Sequence, residues 1–499
     1  MIKRIIAIFL LIMICLTLMV APASAVTVAS PDISAQSAIL AERYTGEVIF
    51  SRNADIRHHT DSFNKVMTLL LAAYAIEHDI VSEHQLITMT ESAWHDLDEY
   101  SSTLGIEPGE VMTFIDLIYS SYVGNANEAS NMIALHLGGS IDGFARMMND
   151  RAAEIGAVNT HFVNPHGQYH SAQHTTARDQ LYIFTEALNS SLFYEVASTF
   201  RHVTEATYES EARTLTTTNA LLNQGGRYHF RHSNAGRDSN SADGGRSLVA
   251  YAEEGDLSLV SVVIGTFDHI YADGAVDLRS FSETLRLFTW GFDNYSWTDV
   301  LRVTDLLARV PVLHGAGSDF VNARPETPLS ILLSNDVETA DFYRHYVFFY
   351  EIPLDQFDEY ASISFNYNNE ENPTLAAPVV ARQVIGEVHL TLDDGRIEVI
   401  PLVANTSVNL SGIEYIRRQF IGLIWEEVET DVPRMPGEPV EYRFTPLARN
   451  TLLILGGVLL LYVGLTIRYH VVRANRRRRI KEAKNDIIRE RHQGFRDHH

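Results

Sequence analysis

The sequence predicts a mixed α/β (α+β) domain with an antiparallel sheet flanked by helices, then a small all-β domain and one C-terminal transmembrane helix. Three observations carry this. From about Ile33 to Trp297, apolar runs of helical length are interspersed with short β-rich runs. From about Val310 to Asn409 the pattern is mainly short strands separated by turn signals. Thr451 to Ile467 is a run of seventeen residues without a charge.

The elements follow in chain order. Lys3 and Arg4 precede an apolar run from Ile5 to Val20, and Ala23-Ser24-Ala25 follows; this is the pattern of a secretory signal peptide over residues 1–25. Cys15, the single cysteine, lies inside that apolar run behind Ile14, where a lipoprotein signal would want a small residue. Cleavage after Ala25 would leave no cysteine for a disulfide, a zinc site or a CxxC motif. Ile39–Glu42 and Val48–Phe50 read as a hairpin turning at Thr45-Gly46. Val66 to Ile76, Ile115 to Tyr122, Glu128 to Leu137 and Phe144 to Ile155 read as helices. Ser247–Ala252 and Ser258–Gly265, split by Glu253-Glu254-Gly255, read as an antiparallel pair. These runs bound one domain over residues 33–300. The β-rich domain covers 310–410, with turn signals at Gly315, Asn335-Asp336, Asn368-Asn369 and Asp393-Asp394-Gly395. A linker over 411–447 includes Met435-Pro436-Gly437-Glu438-Pro439. The span is placed at 448–469: seventeen residues reach about 25 Å as a helix, and Arg449 and Arg468 can snorkel at its ends.

Charge sets the topology and narrows the function. The chain of 499 residues carries a formal net charge of -24. From Arg468 onward there are eleven Lys+Arg and four Asp+Glu, including Arg476 to Arg479. Basic residues just beyond a span mark the cytoplasmic side, so 470–499 reads as a cytoplasmic tail able to touch anionic headgroups. The region between signal and span is then near -33 and lies outside the cell. That balance argues against a nucleic-acid partner.

The chemistry begins at Thr60-Asp61-Ser62-Phe63-Asn64-Lys65. Thr60 or Asp61 can cap a helix running through Glu77. Ser62 and Lys65, three apart, then share one helical face. A serine hydroxyl needs a base, and a lysine amine that is partly desolvated at a helix N-terminus can take its proton.

Around this pair the sequence resembles the D-alanyl-D-alanine carboxypeptidases, the low-molecular-weight penicillin-binding proteins. The resemblance rests on Tyr44-Thr45-Gly46-Glu47-Val48 with Asn53-Ala54-Asp55, on Ser62 and Lys65 with Met67-Thr68, and on Leu104-Gly105-Ile106 with Pro108-Gly109-Glu110. It continues through Asn159 to Gly167, His174 to Asp179, Thr218-Asn219-Ala220-Leu221-Leu222 and Trp290-Gly291-Phe292, and into the β domain at Ala376 to Val379 and Val384 to Glu387. The likeness covers roughly residues 35–410. It implies a DD-peptidase/β-lactamase-like fold and acyl transfer without metal or cofactor. Ser62 would attack the bond between the terminal D-alanines of a peptidoglycan stem peptide, and Lys65 would take its proton. Backbone N–H groups of Ser62 and of a nearby strand would hold the oxyanion, and β-lactams would act as covalent pseudo-substrates. The histidines, His58-His59 included, read as structural or surface groups.

Three positions depart from the family's motifs. The second motif, usually Ser-x-Asn, falls at Asn125-Ala126-Asn127; Asn127 keeps the substrate-binding amide and Asn125 replaces the serine relay. The third, usually Lys-Thr-Gly, has two registers. Counting forward from Asn219 gives His232-Ser233-Asn234, the preferred one, with His232 and Ser233 binding substrate. Counting back from Gly245 gives Arg237-Asp238-Ser239. Ser258 stands where an arginine would hold the substrate carboxylate. The sequence thus supports a serine-type carboxypeptidase; the alternative is a catalytically silent relative that binds cell-wall peptides or a protein partner at the membrane.

Overall fold

The computed structural model describes residues 29–207, 211–241, 244–337, 342–350, 363–366, 375–392, 395–413, 416, 425–427 and 442–493. The signal segment with Cys15, the turns at Asn368-Asn369 and Asp393-Asp394, and the Met435–Pro439 linker lie outside them. Two compact units divide the chain: residues 1–298 with 331–337, and residues 299–330 with 338–499.

The first unit is built on a five-stranded antiparallel sheet. Its strands are β1 (Ser37–Glu42), β2 (Val48–Arg52), β3 (Ser233–Ser241), β4 (Gly245–Glu254) and β5 (Leu257–Thr266), in the order β2-β1-β5-β4-β3. The predicted hairpin is β1 and β2, with Ala41 opposite Val48 and Gly46 at φ 72°. The predicted antiparallel pair is β4 and β5, with Ala250 opposite Ser261.

The central strands are buried on both faces, and alternation sorts their side chains into two layers. Ile39, Ala41, Val249, Tyr251, Val260 and Val262 join the larger core. It is closed by α1 (Asn64–Glu77), α2 (Phe114–Tyr122), α3 (Asn127–Gly138), α4 (Ile141–Ile155), α5 (Ala177–Ala187) and α6 (Ser191–Ala197). Ala38, Leu40, Leu248, Ala250 and Leu259 face the other way, against Phe281, Leu287 and Phe288 of α7 (Arg279–Asn294). Gly291 allows α7 to lie close on the sheet: a Cβ there would sit 2.7 Å from Leu259 Cδ1 and 3.0 Å from Leu40 Cδ2. The helix caps are local. Thr113, Ser140, Thr176 and Ser190 each accept a backbone N–H of the following first turn.

The expected cap of α1 is absent. Neither Thr60 nor Asp61 makes a side-chain cap bond; a 3₁₀ turn at Asp61–Phe63 leads into the helix, with Asp61 at φ 44°. Ser62 therefore sits in a tight turn just before α1.

In the second unit, a seven-stranded sheet is antiparallel except for one parallel pair, between Ala308–Leu313 and Leu375–Ala376. Its core alternates in three strands, where Val310 and Val312, Val321 and Ala323, and Val388 and Leu390 are buried, while Leu402, Val403 and Ala404 are buried in succession. Gly315, expected in a turn, pairs with Leu410 instead. The last helix, α8 (Pro446–Gln493), contains a stretch from Arg449 to Arg478 that is long and apolar enough to cross a membrane, with mean hydropathy 2.0. None of its most apolar window is buried.

Candidate active site

Four segments meet at the start of α1. Lys65, in the first turn, is 1% exposed, and its ammonium donates to Asn127 Oδ1 at 2.5 Å, Asn125 Oδ1 at 2.9 Å and Asn125 O at 3.3 Å. None of these three bonds goes to Ser62. Burial drives the Lys65 pKa well down; the Arg237 guanidinium pushes it further, and Glu128 and Asp238 oppose. Its amine is thus biased toward the neutral, proton-accepting form.

Asn127 opens α3, so the helix itself aims its amide, and its N–H donates to Ser102 O at 2.8 Å. Asn125 sits in the α2–α3 connection at φ 58°, a left-handed geometry that asparagine tolerates. The next residue but two, Glu128, accepts from Leu104 N at 2.7 Å and Ile106 N at 3.4 Å. This ties the 98–106 wall to α3 and gives the Leu104-Gly105-Ile106 block its physical role.

The Asn159–Asp179 block forms the opposite wall. Asp179 Oδ2 accepts from Asn159 N and Thr160 Oγ1, at 2.7 and 2.8 Å. Asn64 Nδ2 donates to Asn164 O and Gln173 Oε1, and Thr68 Oγ1 donates to Pro165 O. Gly167, at φ 90°, lies so near the 61–62 turn that a Cβ would be 1.7 Å from Asp61 O. His166 is buried and accepts from Gln168 N at 3.1 Å; burial, aided by Lys65, lowers its pKa to about 3.

The third wall is β3, the edge strand of the sheet. Arg237, 2% exposed, donates to Tyr122 O at 2.6 Å and to Asn125 Oδ1. One asparagine oxygen thus accepts from both buried cations. Two residues on, on the same strand face, Ser239 Oγ accepts the backbone N–H of Ser62 at 3.1 Å. The cleft so enclosed, of about 370 Å³, is lined by Ser62, Lys65, Asn125, Asn127, Asp61, His59, Asp98, Tyr100, Ser101, Ser102, His166, Gly167, Gln168, Tyr169, Asn240 and Ser241. Burial raises the pKa of Asp61. A larger groove of about 960 Å³, with Trp94, Asn131 and Asp142 on its walls, shares His166, Gln168 and Tyr169 with it.

The structure therefore brings Ser62, Lys65, Asn125 and Asn127 together, but not His232 and Ser233. Those two stand at the far end of β3, about 20–23 Å along the strand from Ser239 at 3.3 Å per residue. There His232 Nδ1 lies 3.2 Å from Glu253 O and its ring packs beside Phe230 and Phe292. The register facing Ser62 is Arg237-Asp238-Ser239, because the hairpin from β3 to β4 is anchored at Gly245, φ 75°. Ser258 is likewise outside the cleft: it pairs with Glu253 and meets Tyr251 OH. Arg246, opposite Asn240 at the cleft end of β4, is held by Asp268 at 2.9 Å. Sequence reasoning missed His166 as a cleft residue; Arg237 and Ser239, which stand beside Asn125 and Ser62, belong to the register obtained by counting back from Gly245, the one not preferred.

Residues 24–268 match the family described as D-alanyl-D-alanine carboxypeptidase. Among curated proteins, the chain is 26% identical over 409 residues to the D-alanyl-D-alanine carboxypeptidase DacC of Escherichia coli, covering 81% of this chain and 89% of the relative. It is 27% identical over 405 residues to DacA of the same organism, covering 78% and 89%. The fold is that of penicillin binding protein 5 from Haemophilus influenzae, with TM-score 0.54 at 23% identity over 77% of this chain and all of the other. Ser62 and Lys65 at the start of α1, the Asn125–Asn127 connection and the edge strand β3 all fall within the matched segment, and over that segment the chain is similar to the D-alanyl-D-alanine carboxypeptidase family.

Proposed function

We propose that this protein is a serine-type D-alanyl-D-alanine carboxypeptidase that trims peptidoglycan stem peptides through an acyl-enzyme, held at the outer face of the cell membrane by one C-terminal span. The observation that carries the reading is the buried, pKa-depressed amine of Lys65, three residues from Ser62 in a cleft with Asn125 and Asn127. Ser62 Oγ attacks the carbonyl of the penultimate D-alanine and its proton passes to Lys65 Nζ. The C–N bond breaks, the departing amine takes that proton, and free D-alanine leaves. Water then hydrolyses the ester on Ser62. Asn127 orients the substrate and Lys65, and Asn125 holds the two cations in register. The groove beyond Tyr169, of about 960 Å³, is where the remainder of the stem peptide would lie. A β-lactam would stop at the acyl stage.

The silent-relative reading draws on a different observation: Asn125 has no hydroxyl to relay a proton to the leaving amine. A fluorescent penicillin separates the two. We expect covalent label on the purified protein, lost in Ser62→Ala, together with D-alanine release from a pentapeptide. No label and no D-alanine would sink the carboxypeptidase and leave the binding role.

A further inference from the structure

The third-motif strand of this family ordinarily ends in glycine; here β3 carries Ser239, 4% exposed. Its position is not free to drift. Arg237, two residues earlier on the same face, is tied to Tyr122 O and Asn125, and it fixes where β3 crosses the 61–62 turn. One seryl hydroxyl then joins strand to turn, Ser239 Oγ accepting the Ser62 N–H, with Ser241 and Asp61 both on the cleft wall beside it.

The Ser62 N–H is the group that an attacked carbonyl must reach. A tetrahedral oxygen needs donors at about 2.7–3.1 Å. That N–H has one proton, and at 3.1 Å it is already given to Ser239. We propose that Ser239 is a positioning residue that caps the oxyanion site: its hydroxyl stands where the substrate oxygen must go, and it has to rotate away before Ser62 can be acylated. The inference rests on the acyl-transfer reading of Ser62.

The physics makes the cap displaceable. A neutral hydroxyl is a weaker acceptor than an oxygen taking on negative charge. Exchange is therefore close to neutral when a ground-state carbonyl arrives and favourable as the oxyanion forms. The cap taxes the first part of the reaction coordinate, so removing Oγ should speed acylation rather than slow it. From the net worth of one neutral hydrogen bond, the gain is roughly two- to tenfold.

The test is the second-order rate of labelling by a fluorescent penicillin, using the full chain in detergent. Wild type, Ser239→Ala and Ser239→Gly are compared, with Ser62→Ala as the blank and thermal midpoints as the check on folding. Both Ser239 variants should label two- to tenfold faster through Ser62, and Ser239→Thr, which keeps the hydroxyl, should be no faster than wild type. If wild type labels and the folded variants are no faster, the cap is wrong and the enzyme reading stands. A slower Ser239→Ala would make the hydroxyl a donor to the transition state, which also overturns the cap. If only the variants label, the cap is what holds wild type inactive. If nothing labels at Ser62, acyl transfer and the cap both fall. Should Ser239→Ala lose its fold, Ser239→Gly, the family's own residue, carries the comparison.

Discussion

Asn125 Oδ1 accepts from two fully buried cations, and that one arrangement sets the electrostatics of the cleft. Lys65 can accept a proton only when neutral, so acylation should rise with pH through its pKa. The Arg237 charge helps depress that pKa. Arg237→Met should therefore move the acid limb of the acylation–pH profile to higher pH, whereas Arg237→Lys should leave it near the wild-type position. An unmoved limb in Arg237→Met would separate the two cations. The same substitution leaves the Tyr122 carbonyl unpaired in a buried place, at a cost of roughly 1–3 kcal/mol in a denaturant titration. His166 gives a second prediction. Unfolded, it takes a proton near pH 6.5; folded, it waits until about pH 3. Above pH 6.5 both states are neutral and the residue has no effect. Below it the unfolded state binds the extra proton, so stability falls as pH drops from 6.5 toward 3. His166→Gln should recover roughly 3 kcal/mol of that loss by pH 4, seen as a flatter fall of thermal midpoint with pH. An unchanged slope would mean that other groups dominate acid unfolding.

At the scale of elements, local pattern was a good guide. The hairpin at Thr45-Gly46, the helix carrying Lys65 and the β4–β5 pair all formed where period and turn residues put them. What failed was counting across a loop. Counts from Asn219 and from Gly245 disagree by five residues: the first, across the loop, arrives at His232, and the second, from the β3–β4 turn, arrives at Arg237. Turn geometry transmits register and loop length does not. The Asn159–Asp179 block, legible as a signature, acquires its reason from packing: it supports the turn that presents Ser62. Gly167→Ala tests this. The added methyl would collide with Asp61 O at 1.7 Å in a left-handed backbone, so the wall and the turn must part. We expect at least a tenfold fall in acylation, since small misplacements of reacting groups are costly, and a loss of roughly 1–3 kcal/mol in stability. Acylation within twofold of wild type would show that the wall does not position Ser62.

For the whole molecule, α8 carries a window of mean hydropathy 2.0, long and apolar enough to cross a membrane, that is not buried among the described residues. A chain ending at Thr445 should stay in the aqueous phase without detergent, while the full chain partitions with membranes; both should label with fluorescent penicillin at similar rates. Partition of the shortened chain with membranes would move the anchor elsewhere. Two kinds of knowledge divide here. The sequence by itself determined the mixed α/β pattern, the Ser62–Lys65 spacing and the apolar run of α8, because helical spacing, turn chemistry and hydropathy are properties of neighbouring residues; the Asn125–Asn127 segment was legible only through the family resemblance. Only the tertiary structure decided that Arg237 rather than His232 faces the site, that Ser258 does not, and that Ser239 meets the Ser62 N–H. The Arg237–Asn125 and Ser239–Ser62 contacts join residues more than a hundred positions apart, and they depend on how the edge strand is laid against the turn before α1, which no local spacing encodes.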